Sequence, residues 1–131
     1  FLADQGVIPA AIASSMSRTF LAGAFRTLRF GINEAHGRGM AIQVNSLLDA
    51  GAVAVGRNGT FRIDDDRMRA AISDLTGRLM TLQAHGDHAA AVKTIEAATI
   101  RPEVQRVLDR LGDVPVDIAP DFQTARDIEG R

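Results

Sequence analysis

Residues 53–66 have the sequence VAVGRNGTFRIDDD, in which a hairpin signature is followed directly by a helix start. Two short runs containing β-branched and aromatic residues flank Asn58-Gly59, a pair that favours the positive φ angles of a tight hairpin turn. The three aspartates at 64–66 suit a helix start, because carboxylates there accept backbone N–H groups and lie at the positive end of the helix dipole. Since a two-stranded ribbon is marginally stable alone, we expect it to pack on helices.

Helical periodicity surrounds this stretch on both sides, with apolar residues three or four positions apart. Proline, aspartate or glycine stands near the ends of five predicted helices, which cover residues 9–29, 34–49, 64–86, 87–98 and 101–112. The third and fourth helices are predicted to bury the apolar residues Met68, Ile72, Leu75, Leu79 and Leu82, and Ala91, Val92 and Ile95. The predicted fold class is mainly α, with about five helices in a compact bundle and one small β-hairpin.

The composition is that of an ordinary globular protein. The chain has 131 residues, of which 46% are hydrophobic and 24% charged, so we expect one domain with a substantial core. Its net charge of −1 provides no general attraction to nucleic acid or an anionic membrane, and no apolar run is as long as a membrane span. The absence of cysteine excludes disulfides and thiolate metal sites, and it fits the cytoplasm, which is the predicted location.

Both ends of the chain have the pattern of a piece cut from a longer protein. Phe1–Gly6 is typical of a last helical turn closed by glycine. At the other end, residues 114–120 contain two prolines and are predicted to be extended, and Ile128–Arg131 resembles a protease recognition tail. We therefore predict a single helical domain at residues 1–127, which is a fragment of a larger protein, and a tail at residues 128–131.

No motif in the chain indicates a complete metal site or an activated nucleophile. The three histidines are His36, His85 and His88, and the last two flank a Gly-Asp pair that is predicted to break the helix. A His-Glu-x-x-His motif and an acidic residue at ligand spacing are both missing, so no metal ligand is predicted. The aspartates at 64–66 lack the alternating spacing of a calcium loop, which favours capping. No serine belongs to a nucleophile elbow.

One group of polar residues combines several kinds of chemistry at a predicted helix start. Residues 33–39 have the sequence NEAHGRG, which places a carboxylate, an imidazole and a guanidinium among glycines. His36 could donate a hydrogen bond to a developing oxyanion or transfer a proton, and Arg38 could bind a carboxylate through two N–H groups. Alternatively, Glu34 caps the helix and His36 hydrogen-bonds locally. Spacing alone leaves both interpretations open.

Several long stretches of the chain are similar to one known family. They are residues 25–39, with the sequence FRTLRFGINEAHGRG, and residues 41–45, 47–52, 61–64, 82–87 and 114–118. In these stretches the chain resembles the C-terminal region of bacterial relatives of dipeptidyl peptidase III, a family of zinc metallopeptidases. Relatives are sometimes named Nudix hydrolases, but this chain contains no Nudix box.

The resemblance implies a role for His36 in a zinc-dependent peptidase. Family members release dipeptides from peptide N-termini, and they bind zinc through a His-Glu-x-x-Gly-His helix and a glutamate of a following helix. Neither motif occurs here, so the resemblance implies zinc in the parent protein and no cofactor in the fragment. Ala35-His36 is similar to an Ala-His pair whose histidine helps to bind the substrate carbonyl or to stabilise the transition state. The family's arginine stands at a different offset from that histidine than Arg38 does.

We therefore predict the C-terminal helical part of a zinc-dependent, dipeptidyl-peptidase-like hydrolase, which lines the substrate cleft and is inactive alone. His36 is the candidate catalytic residue, and Asn33, Glu34 and Arg38 are the candidate substrate-binding residues. The expected partners are the remainder of the parent chain, a peptide substrate in the parent, and a second copy of the fragment when it is alone. The alternative prediction is a non-enzymatic helical interaction module, in which the same glycines and an arginine face formed by Arg18, Arg26 and Arg29 act as a packing surface.

Overall fold

The computed structural model describes residues 2–3 and 5–115, which form a mainly α fold as predicted. These residues contain six helices and one antiparallel hairpin. The elements are α1 (Ala10–Ala13), α2 (Met16–Leu28), α3 (Ala35–Asp49), β1 (Val53–Val55), β2 (Phe61–Ile63), α4 (Asp65–His85), α5 (His88–Glu96) and α6 (Pro102–Arg110). The predicted tail at 128–131 and most of the predicted extended segment lie outside the described residues, as do residues 1 and 4 of the predicted N-terminal turn.

The first predicted helix is interrupted, and this explains why six helices are present where about five were expected. The Ser14 hydroxyl donates to the carbonyl of Ala11, and the Ser15 hydroxyl donates to that of Ile12, each at 2.9 Å. Serine side chains that bond to nearby backbone groups compete with the helical ladder. The single turn α1 therefore ends before α2 begins. Ile12 is 56% exposed, although one continuous helix over residues 9–29 would place it on the same apolar face as Met16 and Phe20.

The predicted helix caps are confirmed. The Asp64 carboxylate accepts a hydrogen bond from the backbone N–H of Arg67 at 3.1 Å, and the Asp87 carboxylate accepts one from that of Ala90 at 3.0 Å. Between α4 and α5, Gly86 has a φ of +61°, which is the left-handed conformation that ends many helices. His85 and His88 consequently lie on the two sides of a corner and not on one helical face.

The hairpin is also confirmed, and it packs on the helices. Val53 pairs with Ile63 and Val55 pairs with Phe61, while Gly59 provides the positive φ of the connection at +67°. Val53 is buried, and the Phe61 ring contacts the Phe25 ring of α2 edge to face with a centroid distance of 5.1 Å. An aromatic pair of this geometry stabilises the contact beyond its buried area. The hairpin thus packs on α2, as expected because two strands without further support are only marginally stable.

Helix α3 is the centre of the fold, because it contacts α2, α4, α5 and β1. Its buried residues are Gly37, Ala41, Val44 and Leu47, which recur every three or four positions along one face. Two core clusters meet on this helix. The hairpin-side cluster consists of Leu21, Leu47, Ala52, Val53, Met68 and Ala71, and the α6-side cluster consists of Ala24, Leu28, Ala41, Val44, Ala98 and Val104.

The predicted buried stripes of α4 and α5 are only partly correct. Met68 is buried, whereas Ile72 is 46% and Leu79 is 39% exposed, and Val92 and Ile95 are exposed as well. The reason is geometric. In α4 the only buried side chains are in its first two turns, at Met68 and Ala71, so the remaining apolar residues have too few neighbours to cover them. An apolar groove of about 220 Å³ remains, lined by Phe20, Ile42, Leu47, Ile72, Leu75 and Leu79 among others.

Candidate functional site

The predicted site lies at the beginning of α3. Glu34 has extended backbone angles, with φ −109° and ψ 162°, and the helix begins at Ala35. Asn33, Glu34, His36 and Arg38 are all exposed. The structure therefore presents the four candidate side chains at one helix end, at the surface of the described part of the chain.

Neither Glu34 nor His36 forms a side-chain hydrogen bond that caps the start of α3. Glu34 occupies the capping position, but its side chain accepts no capping hydrogen bond. The His36 imidazole makes no hydrogen bond or ion pair with another residue in the ranges 2–3 and 5–115. The local-bonding alternative for these two side chains is therefore wrong in this structure. Both residues are exposed, and neither side chain has a hydrogen-bond partner among the described residues.

Arg38 is held by the loop that precedes the helix. Its Nε donates a hydrogen bond to the carbonyl oxygen of Ile32 at 3.0 Å. Ile32 in turn packs against the α6-side cluster. The sequence did not predict this contact. Although Arg38 is exposed, its guanidinium group is therefore attached to the loop through Nε.

Gly37 brings the backbone of α3 against the same loop. It is buried, and a Cβ atom added to it would lie 1.9 Å from the carbonyl oxygen of Gly31. Gly31 has a φ of +85°, a conformation that residues other than glycine rarely adopt. The turn before α3 therefore depends on a glycine at both positions.

The described residues do not fit a zinc site. No group of three or more histidine, cysteine, aspartate or glutamate side chains lies close enough to hold a metal ion in the part of the chain that the structure covers. His36 begins α3, whereas His85 and His88 flank the corner between α4 and α5. A catalytic zinc needs about three protein ligands, which these separate residues do not provide.

Two surface features were missed by sequence reasoning. One is the apolar groove beside Ile72 and Leu79, and the other is a wider depression of about 1340 Å³ between α3, α4 and α5. An ion pair between Arg101 and Asp49 lies at the edge of this depression. The sequence feature that could have revealed the groove is the length of the apolar stripe of α4, which extends beyond the two turns that are buried. Among the described helices, none combines the length and apolar composition that crossing a bilayer requires.

Comparison with known proteins identifies the same region in larger proteins. No protein-family model matches the chain. It is 48% identical to dipeptidyl-peptidase III from Corallococcus sp. strain EGB, with a TM-score of 0.88, over 97% of this chain and 24% of that one. For DPP III from Caldithrix abyssi, the identity is 37% and the TM-score 0.88, over 98% of this chain and 25% of that one.

A curated relative carries a different name. Nudix hydrolase 3 of Arabidopsis thaliana is 38% identical over 128 residues, which are 95% of this chain and 17% of that protein. The chain thus spans about a quarter or less of the length of the proteins it matches. Both solved structures are of dipeptidyl-peptidase III, and they share the fold of this chain almost throughout. The resemblance that the sequence indicated is therefore confirmed: this chain has the sequence pattern and fold of a region of dipeptidyl-peptidase III.

Proposed function

We propose that this chain is the part of a zinc-dependent, dipeptidyl-peptidase-like hydrolase that lines the substrate cleft and supplies His36 to it. The observation that carries the proposal is the similarity, over 97% of the chain at 48% identity, to a solved dipeptidyl-peptidase III. The exposed His36 supports it, because its imidazole makes no bond with the described residues and can contact a bound molecule. The remainder of the longer protein would provide the zinc ligands and the general base.

The four candidate residues have complementary chemistry for a peptide. The His36 imidazole can donate a hydrogen bond to a substrate carbonyl oxygen, which becomes more negative as the tetrahedral transition state forms. Glu34 offers a carboxylate to an amino group, and Asn33 offers both a donor and an acceptor to a peptide bond. Arg38 offers its terminal guanidinium nitrogens to a carboxylate or carbonyl oxygen. A cytoplasmic location, and the lack of nucleic-acid and membrane partners, stay predictions.

The isolated chain is expected to be inactive, and this separates the proposal from a self-sufficient enzyme. We expect the longer protein to release dipeptides from a synthetic peptide substrate, and a chelator to abolish that activity, while the 131-residue chain releases none. Calorimetric titration of the isolated chain should detect no submicromolar zinc binding, because the described residues provide no three-ligand group. Tight zinc binding or dipeptide release by the isolated chain would contradict this division of roles.

The apolar groove favours a second function, that of a helical interaction module. Ile72 and Leu79 line it and are substantially exposed, and a contiguous exposed apolar patch often marks an interaction site. In the longer protein we propose that the remainder of the chain covers this face. When the chain is alone, a second copy can do so.

Self-association of the isolated chain is therefore expected to depend on the groove. Ile72→Ser and Leu79→Ser should shift the chain toward a monomer in analytical ultracentrifugation, because each replaces apolar area that association would bury. Ile12→Ser is the matched control, since Ile12 is exposed but is not among the groove residues. A monomeric wild-type chain, or an equal shift in the control, would refute a role for the groove in association.

A further inference from the structure

The backbone of α3 and the loop before it approach more closely at Gly37 than any other residue type would allow. A Cβ atom at this position would lie 1.9 Å from the carbonyl oxygen of Gly31 and 3.1 Å from the Cα of Ile32. Both neighbours are backbone atoms, so no side-chain rotation could relieve the overlap. The backbone of the first turn of α3 is thus in direct contact with residues 31–32, because Gly37 has no side chain to hold the two segments apart.

Arg38 provides a second connection between the same two segments. Its Nε donates to the Ile32 carbonyl oxygen at 3.0 Å, one residue along the helix from the Gly37 contact. The Ile32 side chain is anchored in the α6-side cluster, so the loop is attached to the core as well as to the helix. The two contacts together fix the loop that leads into Asn33 and Glu34.

His36 lies directly beside this double contact. Successive residues of an α-helix are about 100° apart around its axis, so His36 and Arg38 leave the helix on opposite flanks of Gly37. Gly37 begins the buried face of α3 that continues through Ala41 and Val44. The rotation of the first turn, and with it the direction of the His36 side chain, is therefore determined where Gly37 meets the loop.

We propose that Gly37 and Arg38 are positioning residues for His36, acting through the contact of α3 with the loop at residues 31–32. In this positioning role Arg38 acts through its Nε and the Ile32 carbonyl, separately from the substrate contact proposed for its terminal nitrogens. This inference rests on the proposed function of His36 in the longer protein. It predicts that kcat depends on the geometry of this contact, beyond any contribution of the Arg38 charge to substrate binding.

Gly37→Ala should displace the first turn of α3. The Cβ must move away by on the order of 1.5 Å to reach van der Waals distance from the Gly31 carbonyl. Since a misplacement of about 1 Å can lower a rate roughly 100-fold, we expect kcat of the longer protein to fall by about that factor, with a smaller change in KM. Gly39→Ala is the matched control, because it lies in the same helix and an added Cβ has nothing within 4 Å.

Two substitutions of Arg38 separate positioning from a charge effect. In Arg38→Gln, the amide nitrogen is the same number of bonds from Cα as the arginine Nε, so the hydrogen bond to Ile32 can be kept without the charge. Arg38→Met keeps the chain length to that point and loses the donor. Both variants lose the guanidinium that the proposed function assigns to substrate binding, so the difference between them isolates the Nε hydrogen bond. We expect kcat to be up to about tenfold lower in the methionine variant than in the glutamine variant, the effect of one hydrogen bond.

The kinetics of the longer protein decide between the outcomes, with His36→Ala measured alongside. Low kcat in Gly37→Ala with near-normal kcat in Gly39→Ala, together with a lower kcat in Arg38→Met than in Arg38→Gln, would support the inference. Equal losses in both Arg38 variants would overturn it in favour of charge recognition. Normal kcat in Gly37→Ala and Arg38→Met, with an impaired His36→Ala, would overturn the inference alone. If His36→Ala is itself fully active, the proposed function fails and the positioning role fails with it.

NMR of the chain provides an independent readout that does not depend on activity. Backbone amide shifts of residues 32–36 and the imidazole shifts of His36 should change in Gly37→Ala and Arg38→Met, and should stay close to wild type in Gly39→Ala and Arg38→Gln. The distant histidines His85 and His88 serve as internal references, because they lie at another corner of the fold. Unchanged His36 shifts in both disruptive variants would overturn the proposal.

Discussion

Replacing His36 with alanine in a longer protein that carries this region is expected to lower kcat/KM for dipeptide release about 100- to 1000-fold. The expected magnitude is that of losing one preorganised hydrogen-bond donor to a developing oxyanion. His36 makes no hydrogen bond with another described residue, so its removal breaks no hydrogen bond among them. The loss should appear mainly in kcat if the interaction forms in the transition state. Steady-state kinetics on a synthetic dipeptidyl substrate measure it.

The other two histidines of the chain provide a matched control. His85 and His88 are exposed like His36, but they lie at the corner between α4 and α5. We expect His85→Ala and His88→Ala to leave kcat/KM within about twofold, as is usual for surface substitutions away from a site. His36→Gln, which keeps an N–H donor, should retain more activity than His36→Ala. A fully active His36→Ala variant would remove His36 from the mechanism.

The second large effect concerns stability. Leu28→Ala is expected to lower the free energy of unfolding by about 2–5 kcal/mol, because it empties a buried position in a packed core. Leu28 is 2% exposed and belongs to the α6-side cluster, in which α2, α3 and α6 meet. Chemical denaturation of the 131-residue chain, followed by circular dichroism, measures the change.

Leu79→Ala is the same chemical change at a position that sequence periodicity could not distinguish from Leu28. Leu79 is 39% exposed and lines the apolar groove. We expect a smaller loss, of about 1–2 kcal/mol, because 39% of the residue stays exposed and truncation at an open groove leaves no enclosed cavity. Equal destabilisation by the two substitutions would mean that the face of α4 is covered in solution, by a second copy for example.

The predicted secondary structure was largely confirmed where a local signal sets the boundary. Asp64 and Asp87 each accept a backbone N–H group, and a hairpin joins residues 53–55 to 61–63. These features depend on groups only a few residues apart in the chain. The break at Ser14 and Ser15 was missed, although its cause is local, because serine is compatible with a helix as well as with the bonds that interrupt it.

The composition of the candidate site could be predicted, but its geometry could not. Asn33, Glu34, His36 and Arg38 are near neighbours in the chain, so a helix start necessarily brings them together. Periodicity and spacing do not reveal that the Arg38 Nε bonds to the Ile32 carbonyl, since that contact depends on how the loop folds back. The catalytic role of His36 and the roles of its three neighbours stay predictions.

By itself, the sequence determined the helix ends outside the break at Ser14 and Ser15, the hairpin, and the clustering of polar side chains around His36. Capping, turn formation and helical spacing operate over a few residues. Only the tertiary structure decided which apolar side chains are buried and which glycine is indispensable. Gly37 and Gly39 are equivalent by sequence, yet only Gly37 meets a backbone carbonyl. Burial and contact depend on which surfaces meet, and for α4 the surface that would cover its apolar stripe is absent from the described residues.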